Sequence, residues 1–240
     1  YLVGTERMQV LPDRLEALIL IQLERLSPEA QLTVRVASVV GQSLTPGEVA
    51  AIHPVGLAEA SIATHLRLAS RADLLWYDRT NAPRMFFSRP EVREAIHDSL
   101  PFTLRRTLHA LRAEHLQREH GSEPPGDLAL ILAQHHEYIE LPALQQQHFC
   151  RAMEVSRERY DHRGTVRWAQ RYLEVCDKLQ DDEGLLLVAD TLQNALGALG
   201  VNVERLEVIR RWIDTCERRA EIPRLLQALQ VSARVHQQIG

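Results

Sequence analysis

Arg171-Tyr172-Leu173-Glu174-Val175-Cys176 and Arg211-Trp212-Ile213-Asp214-Thr215-Cys216 share one pattern: Arg, aromatic, aliphatic, acid, any residue, Cys. They stand 40 residues apart. Each copy falls in the second helix of a helix pair, as read from the 3.6-residue spacing of apolar side chains. A period of this length made of two helices is the mark of an α-solenoid with tetratricopeptide-like repeats. Around the two copies the spacing predicts helices at roughly 141–160, 164–180, 183–199, 203–220 and 223–239. Their connections are short and contain Gly, Asn, Asp or Pro, which implies antiparallel neighbours. Ahead of them, Leu104, Leu108 and Leu111 mark a helix ending near Gly121. A loop follows over Ser122–Gly126, and then Leu128, Ile131, Leu132, His135 and Tyr138 form one expected face.

The first hundred residues have another texture. Asp13 is placed to cap a helix whose inner face is Leu15, Leu18, Ile19, Leu23 and Leu26. Ser27-Pro28-Glu29 opens a second helix, with serine as cap and proline in the first turn. That helix is nearly all apolar on two faces from Ala30 to Val40 and stops at Gly41. Thr45-Pro46-Gly47-Glu48 is a capping-box pattern for a short third helix reaching about His53. A fourth is expected over Leu57–Ser70. Leu74–Asp78 and Arg84–Ser88 then flank the polar stretch Arg79–Pro83 and read as a β-hairpin. Ser88-x-x-Glu91, with Pro90 between, is read as the cap of the next helix, whose inner face is Val92, Ala95, Ile96 and Leu100. Three helices followed by a hairpin is the order of a winged-helix unit. The expected architecture is therefore mainly α: a winged-helix-like connector over 1–100, then an α-solenoid of antiparallel helix pairs over 101–240, truncated at its C-terminus.

Composition excludes several functions. The 240 residues carry 28 Lys plus Arg against 32 Asp plus Glu. Lys178 is the sole lysine and no glycine stands just ahead of it, so the chain holds no G-x-x-x-x-G-K-[ST] phosphate loop. The three cysteines, Cys150, Cys176 and Cys216, have no C-x-x-C spacing and read as reduced cytoplasmic thiols in packing positions. No apolar run approaches a membrane span, and no targeting leader is visible. The chain reads as part of a longer protein. No G-x-S-x-G elbow exists, and Asp181-Asp182-Glu183 sit at a helix start, where negative charge complements the dipole. The 11 histidines lack metal spacing: His135 and His136 are adjacent, His109, His115 and His120 are six and five apart, and His148 is isolated. Neither a catalytic residue nor a metal site is expected.

Three segments resemble a known family. Leu11-Pro12-Asp13-Arg14-Leu15-Glu16-Ala17-Leu18-Ile19-Leu20-Ile21-Gln22-Leu23-Glu24-Arg25-Leu26, followed by Val36-Ala37-Ser38-Val39-Val40-Gly41, resembles the segment after the ATPase core of bacterial STAND-type signal-transduction ATPases. Those include multidomain adenylate/guanylate cyclases and large maltose-activator-like LuxR regulators. Phe87-Ser88-Arg89-Pro90-Glu91-Val92-Arg93-Glu94-Ala95-Ile96-His97-Asp98-Ser99-Leu100-Pro101-Phe102, with Arg105-Arg106 and His109, is similar to a second family segment. Leu132-Ala133-Gln134-His135-His136-Glu137-Tyr138 is similar to a third. The likeness covers about residues 11–180. Arg89 stands where the family has histidine, and His97 where it has tyrosine.

The resemblance implies a non-catalytic regulatory fragment, with ATP and Mg bound by the parent and no cofactor here. Arg89 is the residue placed to meet a nucleotide phosphate. The expected partners are the parent's own ATPase domain and a protein or small-molecule signal on the repeats. Trp168, Tyr172 and Trp212 are the candidate interaction anchors, with core packing as the competing reading of their helical spacing. The alternative is a DNA-binding winged-helix regulator with a helical-repeat dimerisation arm. Its recognition helix would carry Glu59, His65, Arg67 and Arg71, with Arg79 and Arg84 on the wing beside Asp78. Residues 1–100 hold 10 Arg and 12 Asp plus Glu, so the basic face that phosphate contacts need is missing, and nucleic acid is disfavoured as a partner.

Overall fold

A computed structural model describes residues 13–77, 84–121 and 125–239. The chain is mainly helical, with one small antiparallel sheet of three strands. It divides into two compact units, Tyr1–Ser122 and Glu123–Gly240.

The first unit forms around its second helix. α1 (Asp13–Glu24) is followed by α2 (Pro28–Val40). The Ser27 hydroxyl accepts from the Ala30 N–H at 3.3 Å and starts α2, and Gly41, at φ 145°, ends it. Ala30, Val34 and Val36–Val40 are buried, so α2 is covered on more than one side. That explains why its apolar residues occupy more than one face. β1 (Ser43–Leu44) precedes α3 (Pro46–Ile52). The capping box of α3 forms as expected: the Glu48 N–H donates to Thr45 Oγ1 at 3.2 Å, and the Thr45 N–H donates to the Glu48 carboxylate at 2.9 Å. α4 (Glu59–Arg71) leads to β2 (Leu75–Tyr77) and β3 (Met85–Phe87), paired Leu75 to Phe87 and Tyr77 to Met85. The expected turn at Arg79–Pro83, like Asp78, lies outside the described residues, as do Leu11, Pro12 and Ser122–Pro124 of the other segments read above.

Two local expectations change. β1 adds a third strand, with Ser43 opposite Phe86 and Leu44 opposite Met85, giving the order β1-β3-β2. Two residues are too short a run to show the alternation by which strands are recognised. The cap of α5 (Pro90–Asp98) is Arg89, not Ser88, and no side chain caps that helix. Pro90 has no N–H and occupies N1, which removes one of the orphan donors a cap would serve. α6 (Phe102–His120) completes the unit, packing on α2 and α3, and Gly121 at φ 80° ends it. From sequence this helix is expected with the repeats over 101–240; it lies in the compact unit Tyr1–Ser122. The core is a continuous cluster that includes Leu23, Leu44, Ile62, Leu66, Leu74, Phe87, Ile96 and Leu108.

In the second unit the repeat is written in the backbone. The helices are α7 (Gly126–His136), α8 (Pro142–Glu158), α9 (His162–Leu179), α10 (Asp182–Ala198), α11 (Asn202–Arg219) and α12 (Ile222–Ile239). Tyr160, Gln180, Gly200 and Ala220 all have φ between 54° and 72°. Each left-handed residue follows a helix. The next residue then donates its N–H five residues back: Asp161 to Ser156, Asp181 to Cys176, Val201 to Leu196 and Glu221 to Cys216, at 2.9–3.0 Å. This is the Schellman closure, which satisfies carbonyls left open at a helix end. One turn thus recurs every twenty residues, and burial recurs with it. Phe149, Ala169, Ala189 and Ile209 are equivalent and buried, as are Ser156, Cys176, Leu196 and Cys216.

On α7 the expected inner face is displaced. Leu128, Leu132 and His135 are buried, but Ile131 is exposed, and Ala129, Ala133 and His136 are buried in its stead. Tyr138 lies beyond the helix end.

Candidate functional site

An open groove of about 710 Å³ lies among α9, α10 and α11 of the second unit. Its walls carry Asp177, Asp181, Asp182 and Asp214 with Arg211 and Arg218. The local sequence places these groups. Asp181 is the N-cap of α10, accepting from the Gly184 N–H at 3.1 Å, and it also accepts from Gln146 Nε2 at 2.8 Å. Gly184 is required there, because a Cβ would run into Cys176 Sγ and the Asp181 carboxylate. Arg211 donates to Asp177 at 2.7 Å, and Arg218 to Asp182 at 2.9 Å. Both pairs are partly exposed, so each contributes roughly 0–1 kcal/mol.

Burial pushes the Cys176 thiol up, against the hydrogen bond from Gln146, and nearby Asp181 adds to the rise. A nucleophilic cysteine needs the opposite environment, with cations or a helix N-terminus drawing the pKa down. The groove presents paired charges to solvent. Among the described residues, no group of three or more His, Cys, Asp or Glu side chains is arranged to hold a metal ion. No described helix is long and apolar enough to cross a membrane.

The residues singled out from sequence occupy three different settings. Trp168, Tyr172 and Trp212 are all buried, at 3%, 6% and 2% exposure. Trp168 stacks on Phe149 with ring centroids 5.8 Å apart, and the Arg167 guanidinium covers its ring at 4.8 Å. As placed, the three fill helix–helix packing and offer no anchor to a partner. Arg89 is exposed at the N-terminus of α5 and makes no side-chain hydrogen bond or ion pair among the described residues. On α4, Arg67 and Arg71 are exposed, whereas His65 turns inward and its Nδ1 lies 2.9 Å from Thr33 Oγ1.

Sequence reasoning passed over two histidine contacts. His97 Nε2 meets His109 Nε2 at 3.0 Å, and the rings of His136 and His148 stack at 4.0 Å. Each pair is twelve residues apart and bridges two helices, so a search for i, i+4 ligands on one helix could not find it.

No family model, no curated protein and no solved structure matches this chain.

Proposed function

We propose that the chain is a non-catalytic regulatory and protein-interaction segment of a larger signalling ATPase. In this reading the first unit is a winged-helix-like connector packed on the parent's ATPase core, and the second is a tetratricopeptide-like array that receives a protein or small-molecule signal. The observation that carries the reading is the twenty-residue recurrence of turn and burial over α8–α11, which leaves one set of helix faces for packing and another for contact with partners. The helix–strand–helix–helix–hairpin order of α2 to β3 supports the connector. The family-like segments at Leu11–Leu26, Phe87–Phe102 and Leu132–Tyr138 support the parent class. ATP and Mg would belong to the parent, with Arg89, exposed and uncommitted, as the contact this segment lends to a nucleotide phosphate. Signal binding would act by favouring one of two parent conformations, which requires different contacts in each.

Two measurements decide the reading. The isolated chain is expected to show background ATP turnover and no salt-sensitive shift of duplex DNA. Turnover abolished by substitutions in this chain, or DNA binding that weakens steeply with salt, would sink it. In the whole polypeptide, removal of residues 125–239 is expected to change the signal dependence of ATP turnover. Unchanged dependence would remove the sensing role.

A further inference from the structure

α7 is the first helix of the second unit and packs chiefly on α8. Of its buried side chains, Ala133 alone joins the apolar cluster of Phe149, Trp168 and Leu185, with Leu130 partly buried beside it. A methyl group buries little apolar area, so the polar contacts of this seam weigh more in holding α7 down. At its centre the rings of His136 on α7 and His148 on α8 stack with centroids 4.0 Å apart and planes 29° apart. Both side chains are buried, at 2% and 5% exposure. His136 Nδ1 donates to Leu132 O at 2.8 Å, which leaves Nε2 as the nitrogen that can take a proton. Gln145 Nε2 donates to the His136 carbonyl at 3.0 Å and ties the same end of α7 to α8.

The charges around the pair are already committed. Glu137, the carboxylate next to His136 in the chain, accepts from Arg167 and Arg171 of α9, each at 3.2 Å. Asp127, at the other end of α7, accepts from Arg159 at 2.6 Å, and Arg151 of α8 donates to Glu154 at 3.3 Å. Burial pushes up the Cys150 thiol of α8 and the Tyr172 phenol of α9, so both stay neutral. His135, beside His136, is buried as well. A proton on either stacked ring therefore sets a charge in a dry seam against the face of a second imidazole. A second proton sets two like charges there.

We propose that the His136–His148 stack is an acid-operated latch: proton uptake by the pair releases α7 from α8 while α8, α9 and α10 stay packed. Burial and the facing His136 hold His148 down at about 4, and burial, opposed by the Leu132 carbonyl, lowers His136. The docked helix refuses protons that the released helix accepts. Docking is then complete above the ordinary histidine value of about 6.5 and weakens as pH falls toward 4. The latch goes beyond the regulatory reading and stands without it.

Amide hydrogen exchange of the intact chain at pH 7.5 and pH 5, corrected for the intrinsic rate at each pH, tests the latch. Protection of residues 126–136 should fall roughly thirtyfold at pH 5, the factor for one histidine displaced from about 6.5 to about 4. α9 and α10 should lose far less. His148→Phe keeps a ring in the stack but cannot take a proton, and α7 should then stay protected at pH 5. Circular dichroism checks that this variant is folded. In the unaltered chain, the ring signals of His136 and His148, followed by NMR, should titrate in step with the loss of α7 protection. Equal loss across α7, α9 and α10 overturns the proposal, since the response is then global. So does acid release that persists in His148→Phe, which would place the proton on His135, or titration of the pair with α7 still protected.

Discussion

His97 and His109 share a single hydrogen bond between Nε2 atoms 3.0 Å apart, both side chains buried in the first unit. One ring must donate and the other accept, so the contact holds only while one of the facing nitrogens is unprotonated. His97 Nδ1 lies 3.1 Å from the Asp98 carboxylate, which makes the Nδ1–H tautomer of His97, with His109 donating, the consistent arrangement.

Acid should therefore loosen the protein. Burial, opposed by the Asp98 hydrogen bond, holds His97 below the ordinary histidine range, and burial does the same to His136. Burial and the facing His136 take His148 down to about 4. The unfolded chain binds protons that the folded chain refuses, so stability is full above about pH 6.5 and falls as pH drops toward 4. The slope is about 1.4 kcal/mol per pH unit for each such group. Urea unfolding at pH 7.5 and pH 5 measures it. His148→Gln should flatten the slope, and an unchanged slope would contradict the account.

The Arg112–Glu48 pair should be sensitive to which partner is removed. Arg112 Nη2 donates to Glu48 at 2.7 Å and ties α6 to the start of α3. Burial raises the Glu48 carboxyl, but the hydrogen bond and charge of Arg112, helped by Thr45, outweigh it and leave the pKa lowered. Arg112 Nε and Nη1 are buried without hydrogen-bond partners among the described residues. Glu48→Ala strands that buried charge and removes half of the capping box, a loss of about 3–5 kcal/mol. Arg112→Met should cost distinctly less, because it removes the charge itself. Equal losses in denaturant unfolding would refute this ordering.

The recurring turn makes opposite predictions at two of its positions. Ala220 has φ 56°. Ala220→Gly should stabilise by about 1 kcal/mol through relief of left-handed strain. Gly184→Ala should destabilise by roughly 1–3 kcal/mol, since its Cβ meets Cys176 and Asp181 in a packed turn. Thermal melts of the two variants should move in opposite directions.

The cysteines should label unequally. Burial pushes all three thiols up, and Cys150 alone is only partly buried. A thiol reagent at neutral pH is expected to modify Cys150 first and slowly, with Cys176 and Cys216 reacting only after denaturant is added. Rapid reaction of Cys176 in the folded chain would show that the groove opens.

Local chemistry was readable in the chain wherever a residue acts on its own neighbours. Ser27 caps α2, Thr45 and Glu48 close the capping box, Gly41 and Gly121 end helices, and the turns of the second unit lie close to the expected boundaries. The 40-residue pairing of Arg171–Cys176 with Arg211–Cys216 was legible because side chains that perform the same packing task are drawn from the same small set. Its division into two twenty-residue turns was hidden. Tyr160, Gln180, Gly200 and Ala220 have no side chain in common and agree only in backbone conformation.

Tertiary structure alone decided which side of a feature faces inward. The helical spacing of Trp168, Tyr172 and Trp212 points first to core and admits an anchor role beside it, and packing buries all three. β1 exists only because β3 offers it a partner, and Arg112 is buried only because Glu48, 64 residues away, meets it. The same holds for His97 with His109. Sequence determines these side chains one at a time. Whether two of them meet, or one is left without its partner, is set by helix contacts over distances that no local spacing encodes.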